Sequence, residues 1–484
     1  MPVTMTFSKS KWRIRLVCCC ATVAFTSPAT SAEIRRLYVE PFTTQSRLEE
    51  KLRTDVIAEL HKLGRVTIVD SQSHADAILG GGGEIWLKGY RSLNPRSGRL
   101  PSNGTALYAG YLSVELRNTR GETLWSYLAT PQTDSEDVAK DLAKRIARRV
   151  GEALDHIEAP PEPTSPPEAP AVLRGAGATF PFPVYEKWLT NYRREHPNLE
   201  ITYDPIGSES GIRRLVAGEA DFGATDSPEA IRELAPGEEG KFLLFPSVVG
   251  AVVPIVNLPG LSADIQFTPE ALAGIYLGKI VKWNDPVLKQ ANPAVALPDL
   301  PIVVVHRADG SGTSYAWTDF LSKTVSEWKD RVGTSLAPSW PVGKSAERNE
   351  GVAALVKELG GSIGYVEFIY ALQHHLSIGK VRNRRGQFVA ASLESIAAAA
   401  DQAQIGNEFK ASLVNAPAAG AYPISSLTWI AVPARIADER RHNAIVGFLE
   451  WMLGPGQLQA AALGYGALPK DLAARERAAF ARIH

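Results

Sequence analysis

Three short stretches of the sequence combine glycine with serine or threonine in a pattern that could hold an anion. They are GAGATFPFPVYEKWLTNY from Gly175, YDPIGSESGIRRLVAGEADFG from Tyr203, and RADGSGTSYAWTDFL over 307–321. In each stretch a turn leads directly into a helical pattern. Backbone N–H groups and hydroxyls at the positive end of a helix dipole attract anions, and glycine permits the tight turn.

A single turn of this kind is most often only a helix N-cap. Three such turns in one part of the chain favour an anion site, and the third also carries Arg307. Its guanidinium offers a rigid fork of donors that matches a tetrahedral oxyanion.

Other chemistries fit the sequence less well. A nucleophile elbow needs serine at the centre of G-x-S-x-G, where GSGTS has Gly312 and GSESG has Glu209. PVGKSAERN lacks the first glycine of a phosphate loop, because Pro338 stands there. His306 is a lone histidine beside an arginine. The sequence therefore predicts no enzyme, no metal site and no cofactor.

The start of the chain has the features of a cleaved secretory signal over 1–32. A basic stretch precedes the apolar run LVCCCATVAF, which is too short to span a bilayer. All three cysteines lie in this run, so the mature protein would have no disulfide or thiolate site. Lys+Arg and Asp+Glu are both 52, which argues against a nucleic-acid partner. We expect an exported protein.

A proline-rich linker at 159–171, APPEPTSPPEAPA, divides the chain into two units. The small unit, 33–158, has the pattern β-α-β-β-β-β-α and ends in an amphipathic helix. Its GGGG run at 80–83 predicts a strand bulge or close backbone approach. The pattern is distantly similar to N-terminal domains of some periplasmic assembly and secretion proteins, which suggests a docking module.

The large unit, 172–484, alternates strands and helices, as α/β layers do. Two apolar extended runs, 250–260 and 422–432, are candidates for crossings between two lobes. KVR and the RRGQF that follows it predict a local hairpin.

The large unit closely resembles the periplasmic substrate-binding protein of the phosphate ABC transporter. The resemblance covers about 173–484 and rests on motifs that occur in the family's order: GAGATFPFPVYEKW, GSESG, EADFGATDSP, IYLGKIVKWNDP, RADGSGTSYAWTDFL, GSIGYVEF and YPISSLTWI. It implies an α/β, two-lobed type II periplasmic binding protein fold, preceded by a small α+β domain. Lobe 1 would comprise about 172–252 plus 423–484, and lobe 2 about 253–422.

The resemblance also implies which residues bind phosphate. Asp309 would pair with Arg307 and orient it without touching the ligand. The implied phosphate-binding residues are Thr179, Phe180, Ser208, Asp226, Arg307, Ser311, Gly312 and Thr313.

Asp226 would provide selectivity. A buried carboxylate repels an anion unless that anion has a proton to donate, as hydrogen phosphate does and sulfate at neutral pH does not. Read alone, Asp226 could equally be an N-cap before Ser227-Pro228. Glu209 departs from the family, which usually has a small residue there, and adds negative charge near the mouth.

The expected function is capture of inorganic phosphate in the periplasm and its delivery to a membrane permease. A second hypothesis is a phosphate-responsive scaffold or sensor whose residues 33–158 dock an envelope protein. A third is a phosphatase-type enzyme that uses the same pocket.

Overall fold

The computed structural model describes residues 34–44, 49–91, 105–131, 137–157, 171–261, 263–401 and 403–484. The predicted signal over 1–32 and all but the last residue of the predicted linker lie outside these ranges. Within them, none of the helices combines the length and apolar character needed to cross a bilayer.

The small unit forms one mixed sheet with two helices. The sheet order is β3-β1-β4-β5-β6, with β2 paired to β4. This confirms the predicted β-α-β-β-β-β-α order, with a two-residue strand added. The elements are β1 Arg36–Val39, β2 Thr43–Thr44, α1 Glu49–Leu63, β3 Thr67–Ile68, β4 Ala77–Arg91, β5 Thr105–Asn118, β6 Thr123–Ala129 and α2 Val138–Leu154.

The glycine run lies inside β4, where the strands β4 and β5 approach closely. A Cβ at Gly81 would lie 2.1 Å from the Ser113 carbonyl oxygen, and one at Gly83 would lie 2.1 Å from that of Tyr111. The close backbone approach predicted from GGGG is confirmed.

The large unit is built on strands in the order β13-β12-β14-β10-β18-β9-β7-β8, with β15 beside β10. A separate small sheet, β11-β16-β17, contains the predicted hairpin. The strands are β7 Ala171–Gly177, β8 Leu199–Asp204, β9 Phe222–Thr225, β10 Phe242–Asn257, β11 Gln266–Phe267, β12 Val303–Arg307, β13 Lys344–Ala346, β14 Ser362–Glu367, β15 Ser377–Ile378, β16 Lys380–Arg382, β17 Phe388–Val389 and β18 Ser425–Pro433.

Helices connect these strands and cover them. They are α3 Phe182–Glu195, α4 Ser208–Val216, α5 Ala230–Leu234, α6 Pro269–Tyr276, α7 Pro286–Ala291, α8 Gly312–Thr324, α9 Ser326–Arg331, α10 Arg348–Glu358, α11 Phe368–Gln373, α12 Leu393–Ala400, α13 Glu439–Trp451, α14 Gln457–Ala460 and α15 Lys470–Ala479.

Strand β10 joins two halves of the large unit. Its first part pairs with β18, as far as Ala251 opposite Ser425, and its second part pairs with β14 from Val252 opposite Glu367. The strand is buried almost throughout, which accounts for its unbroken apolar sequence. We call the halves lobe 1 and lobe 2, with the bounds given above. The first predicted crossing, 250–260, contains this change of partner within β10, and most of the second run, 422–432, forms β18.

The three glycine-rich turns follow parallel strands. In lobe 1, β7 pairs in parallel with β8 and β9, so their carboxyl ends lie at one edge. In lobe 2, β12 pairs in parallel with β13 and β14. Ligands of open α/β sheets bind outside such carboxyl ends. The architecture is the type II periplasmic binding protein fold, preceded by a small α+β domain.

Candidate functional site

The three turns meet in one buried site between the lobes. Ser208 lies at the start of α4, and Asp226 directly follows β9. The backbone N–H of Asp226 donates to the Ser208 Oγ over 3.4 Å. Gly312, at the start of α8 in lobe 2, donates its N–H to the same oxygen over 3.1 Å. The turn after β7 reaches the same site through Thr179. Its Oγ1 accepts a hydrogen bond from the Asn349 side chain of lobe 2 over 2.9 Å.

Arg307 is the buried cation of the site, with 3 % of its surface exposed. Its Nε donates to Asp309 Oδ1 over 2.8 Å, and its Nη2 donates to Oδ2 of the same carboxylate. Its Nη1 donates to the Thr313 Oγ1 over 3.4 Å. Burial raises the pKa of Asp309, but the Arg307 guanidinium outweighs burial, and the net pKa lies below its ordinary value. Asp309 therefore stays ionised and fixes the plane of the guanidinium.

Four buried hydroxyls share one arrangement, in which each oxygen accepts an N–H hydrogen bond. Ser311 caps α8 by accepting from the Ser314 N–H over 3.2 Å. Ser208 accepts from two backbone N–H groups, and Thr179 and Thr313 accept from side chains. A hydroxyl has a single proton, which such an acceptor role leaves available to a ligand. The site therefore offers hydrogen-bond donors from both lobes.

Backbone N–H groups add to these donors. Neither the Thr179 N–H nor the Phe180 N–H donates to a backbone carbonyl among the described residues. The N–H of Gly312 is already used by the Ser208 Oγ, and that of Ser311 by the Leu336 carbonyl over 2.9 Å. In this structure Ser311 thus offers its hydroxyl, and Gly312 links the lobes.

Asp226 is the buried carboxylate of the site. Its Oδ1 accepts the Thr428 hydroxyl at 2.5 Å, whereas its Oδ2 is buried without a partner. Burial raises the pKa of Asp226 to about 7, against smaller opposite effects of Thr428 and Arg307. The N-cap alternative is wrong, because α5 begins only after Glu229 and the carboxylate of Asp226 is held by Thr428.

Gly312 has no room for a side chain. A Cβ there would lie 2.3 Å from the Asp226 Oδ2 and 2.6 Å from the Ser208 Oγ. Gly207, just before α4, has a φ of 92°, which glycine adopts without strain. Both glycines let the backbone of opposite lobes meet at the site.

Glu209 lies at the rim. Its carboxylate accepts from Arg213, one helical turn later, with the shortest contact at 2.8 Å. Its backbone N–H donates across the cleft to the Gly310 carbonyl over 3.1 Å. The extra negative charge noted in the sequence is therefore balanced by a neighbouring arginine.

Several residues of the site carry no motif in the sequence. Asn349 on α10 donates to the hydroxyls of Thr179 and Thr313. Tyr370 and Tyr465 donate to the carbonyl oxygens of residues 179 and 180, at 2.7 and 2.6 Å. Only a family alignment or the fold could have found them, because they lie far along the chain from the turns that they hold.

The rival sites found in the sequence have structural roles. His306 stacks on Trp340 at 4.9 Å, and burial lowers its pKa. Lys344 and Ser345 belong to strand β13 and not to a phosphate loop. Within the described ranges, His, Cys, Asp and Glu form no group of three that could hold a metal ion.

Comparison with known proteins agrees with this geometry. The profile of the PBP superfamily domain matches residues 164–455. The phosphate-binding protein PstS of Pasteurella multocida is 39% identical over 303 residues, which are 62% of this chain and 87% of the relative. The chain belongs to the PstS family. The PstS of Xylella fastidiosa, strain Temecula1, is 41% identical over 316 residues, 64% of this chain and 86% of the relative. The small unit lies outside the family match.

Solved structures support the fold. A high-affinity periplasmic phosphate-binding protein, PfluDING, determined with phosphate, has a TM-score of 0.53 at 21% identity. It covers 64% of this chain and 94% of its own. A human phosphate-binding apolipoprotein has a TM-score of 0.51 at 19% identity, over 63% and 94% of the two chains.

Proposed function

We propose that the protein captures inorganic phosphate between its two lobes and delivers it to an ABC-type phosphate permease. The observation that carries this proposal is a buried site with donors from both lobes and the unpartnered Oδ2 of Asp226. The family relatives support it, because they are named phosphate-binding proteins. The proposed phosphate-binding residues are Thr179, Phe180, Ser208, Asp226, Arg307, Ser311, Gly312 and Thr313.

The carboxylate of Asp226 selects for an anion that carries a proton. Hydrogen phosphate can donate that proton to the Oδ2, which satisfies both groups. Sulfate has no proton at neutral pH and must bind the protonated form of Asp226, which costs up to about tenfold in affinity per pH unit above about pH 7. The donors explain why an anion binds, and Asp226 explains why it is phosphate.

No covalent step forms part of this proposal. The hydroxyls of Thr179, Ser208, Ser311 and Thr313 accept from N–H groups, whereas a nucleophile would donate to a base. The phosphatase-type alternative is therefore not favoured by the site.

Delivery to a permease can be tested in cells. A strain without this protein is expected to take up radiolabelled phosphate more slowly at low external phosphate, and the wild-type chain should restore uptake. Restoration by the wild type but not by an Arg307→Ala chain would link uptake to the site. Unchanged uptake in the deletion strain would count against the transport role. Fractionation of the same cells would test the proposed periplasmic location.

The pKa of Asp226 predicts a pH-dependent selectivity. Its pKa in the unliganded protein, about 7, lies above the 3.8 of an exposed aspartate. This burial therefore costs stability progressively as the pH rises from about 4 to about 7. The protonated carboxyl can donate to a sulfate oxygen. As the pH falls from alkaline values towards about 7, sulfate affinity should therefore rise by up to about tenfold per pH unit, as the protonated fraction does, and it should level off below about pH 7.

Calorimetric titration of the full chain with sulfate at about pH 5.5 and pH 8 measures this effect. Phosphate, which brings its own proton, should change much less over the same range. Sulfate affinity that does not depend on pH would contradict the role given to Asp226.

A second candidate function, a phosphate-responsive sensor, is favoured by the position of the small unit. It contacts lobe 1 through the hydroxyls of Ser113 and Ser126, which donate to the carbonyl oxygens of Ala462 and Leu458, each at 2.5 Å. Its β6 also reaches the junction of the lobes, where Leu128 lies beside Gly464.

The same unit contacts lobe 2 through β4. Lys88 pairs with Asp264 at 2.6 Å, and Trp86 stacks on His375 with ring centroids 4.0 Å apart. Because one body touches both lobes, a change in the angle between the lobes must change one set of contacts. The small unit can therefore respond to phosphate. If phosphate changes the affinity of the small unit for a partner, that partner changes the affinity for phosphate by the same factor.

Weakening the β4 contacts between the small unit and lobe 2 should weaken phosphate binding. The double change Trp86→Ala with Lys88→Ala removes contacts that hold the closed arrangement, each contributing about 1 kcal/mol. We expect phosphate to dissociate several-fold faster in stopped-flow fluorescence. Arg65→Ala is the matched control, because Arg65 pairs with Asp155 inside the small unit. Equal dissociation rates in the double variant and the wild type would contradict coupling through Trp86 and Lys88.

A further inference from the structure

The side chain of Asn349 is placed to control the direction of two hydroxyl groups in the site. It is fully buried near the start of α10, in lobe 2. Its Nδ2 donates to the Thr179 Oγ1 over 2.9 Å and to the Thr313 Oγ1 over 3.3 Å. Thr179 belongs to lobe 1 and Thr313 to lobe 2, so one amide group links both sides of the cleft.

The orientation of this amide is fixed by a backbone donor. The N–H of Glu367 donates to the Asn349 Oδ1 over 3.0 Å. An N–H group cannot hydrogen-bond to an NH₂ group, so the oxygen must lie on that side. The NH₂ group is thereby directed to the two threonines, and each of its two hydrogens has an acceptor.

The helix that carries Asn349 is also held to the site. The backbone N–H of Arg348 donates to the Asp309 Oδ1 over 3.1 Å, the oxygen that also receives the Nε of Arg307. Arg348 has a φ of 61°, in the left-handed region, where residues other than glycine are uncommon. The carboxylate that orients Arg307 therefore also anchors the first residue of α10, next to Asn349.

We propose that Asn349 is a positioning residue that makes the hydroxyls of Thr179 and Thr313 donors to the bound anion. An oxygen that accepts from Nδ2 has its own proton left to give, and the anion is the acceptor in reach. This role rests on the proposed function, since it presumes that the site holds phosphate. It also makes Asn349 a contributor to closure, because the bond to Thr179 crosses between the lobes.

The change Asn349→Asp reverses this polarity with almost no change in shape. In this variant the Oδ1 can still accept the hydrogen bond from the Glu367 N–H. The Nδ2 donor is replaced by an oxygen that accepts. The threonine hydroxyls then donate to the aspartate and present lone pairs to the anion, which also meets a new negative charge. We expect phosphate affinity at about pH 8 to fall at least about a hundredfold.

The pH profile separates this role from a merely structural one. At lower pH the carboxyl introduced by Asn349→Asp becomes protonated and can donate again. The phosphate affinity of that variant should then recover by up to about tenfold per pH unit relative to the wild type. Asn349→Ala, which frees the hydroxyls without reversing them, should lose about tenfold with a wild-type pH profile. A simple loss of packing would lower the melting temperature without this difference between the profiles.

The control is Asn191→Asp, the same chemical change at a buried asparagine of lobe 1. Asn191 is 8 % exposed, and its Nδ2 donates to the Gln459 Oε1 over 2.8 Å. The phosphate affinity of this control variant should match that of the wild type at each pH.

The test is calorimetric titration of the full-length wild type and these variants with inorganic phosphate at about pH 6 and pH 8. A wild type that binds no phosphate would overturn the proposed function itself. A wild type that binds phosphate, with Asn349→Asp and Asn349→Ala both binding equally well, would overturn the inference alone. If Asn349→Asp does not fold, the phosphate affinity of Asn349→Ala tests the inference. A loss of about tenfold supports it, and an unchanged affinity overturns it.

Discussion

Replacing Arg307 by alanine is expected to weaken phosphate binding by about 2–5 kcal/mol, roughly thirty- to several-thousand-fold. The guanidinium is almost fully buried, so its attraction for an anion is little screened by solvent. Its removal also leaves the Asp309 carboxylate without its counter-charge beside the site, and that negative charge would repel phosphate. Titration calorimetry of the full chain measures the loss.

Two controls accompany this variant. Arg213→Ala removes an arginine at the rim of the site, whose side chain is 58% exposed, and should change affinity only a few-fold. Arg307→Lys keeps the charge but loses the planar fork and should fall between alanine and the wild type. Equal titration heats for the wild type and Arg307→Ala would count decisively against the site.

Replacing Asp226 by asparagine is expected to abolish much of the discrimination against sulfate. The Oδ1 of asparagine can still accept the Thr428 hydroxyl, and its Nδ2 would present a donor where the wild type has an unpartnered oxygen. Sulfate affinity at about pH 8 should rise about tenfold, because the wild type must first protonate a carboxyl whose pKa is about 7 and asparagine need not. The pH dependence of sulfate binding should disappear with the carboxyl.

The matched control for this variant is Asp204→Asn. Asp204 lies at the end of β8 and pairs with Arg214 at 2.8 Å, with 48% of its side chain exposed. The same change of charge there should leave the ratio of phosphate to sulfate affinity within a few-fold. A ratio in Asp226→Asn equal to that of the wild type would show that selectivity arises elsewhere.

The turns could be predicted from the sequence because their signals are local. Glycine, serine and threonine are preferred before a helix because the turn needs their backbone conformation and the unpaired N–H groups need their hydroxyls. Both requirements act within a few residues. Arg307 and Asp309 are two residues apart, so their pairing also lies in one short stretch. The crossing strand β10 was visible as a long apolar run.

The partners of these residues could not be predicted in this way. Thr428 lies 202 residues from Asp226, and Asn349 lies 170 residues from Thr179. Such contacts depend on how β18 and α10 pack, and the spacing of residues in the sequence does not indicate this packing. The use of the Gly312 N–H by Ser208 is of the same kind, because it requires the lobes to meet.

The contacts between the small unit and both lobes could not be predicted from sequence patterns either. Trp86 and Lys88 read as ordinary residues of a strand, and their partners lie in a different unit of the chain. The proline-rich linker predicted two separate units, and only the structure shows that β4, β5 and β6 connect the small unit to each lobe.

Calorimetric titration of the wild-type chain with phosphate, sulfate and a phosphate monoester at about pH 8 tests the central claim most directly. We predict one phosphate per chain, with sulfate and the monoester at least about tenfold weaker, because neither dianion carries the proton that Asp226 accepts and each must bind the protonated carboxyl, whose pKa is about 7. Sulfate binding as tight as phosphate, or no heat with phosphate, would contradict the account.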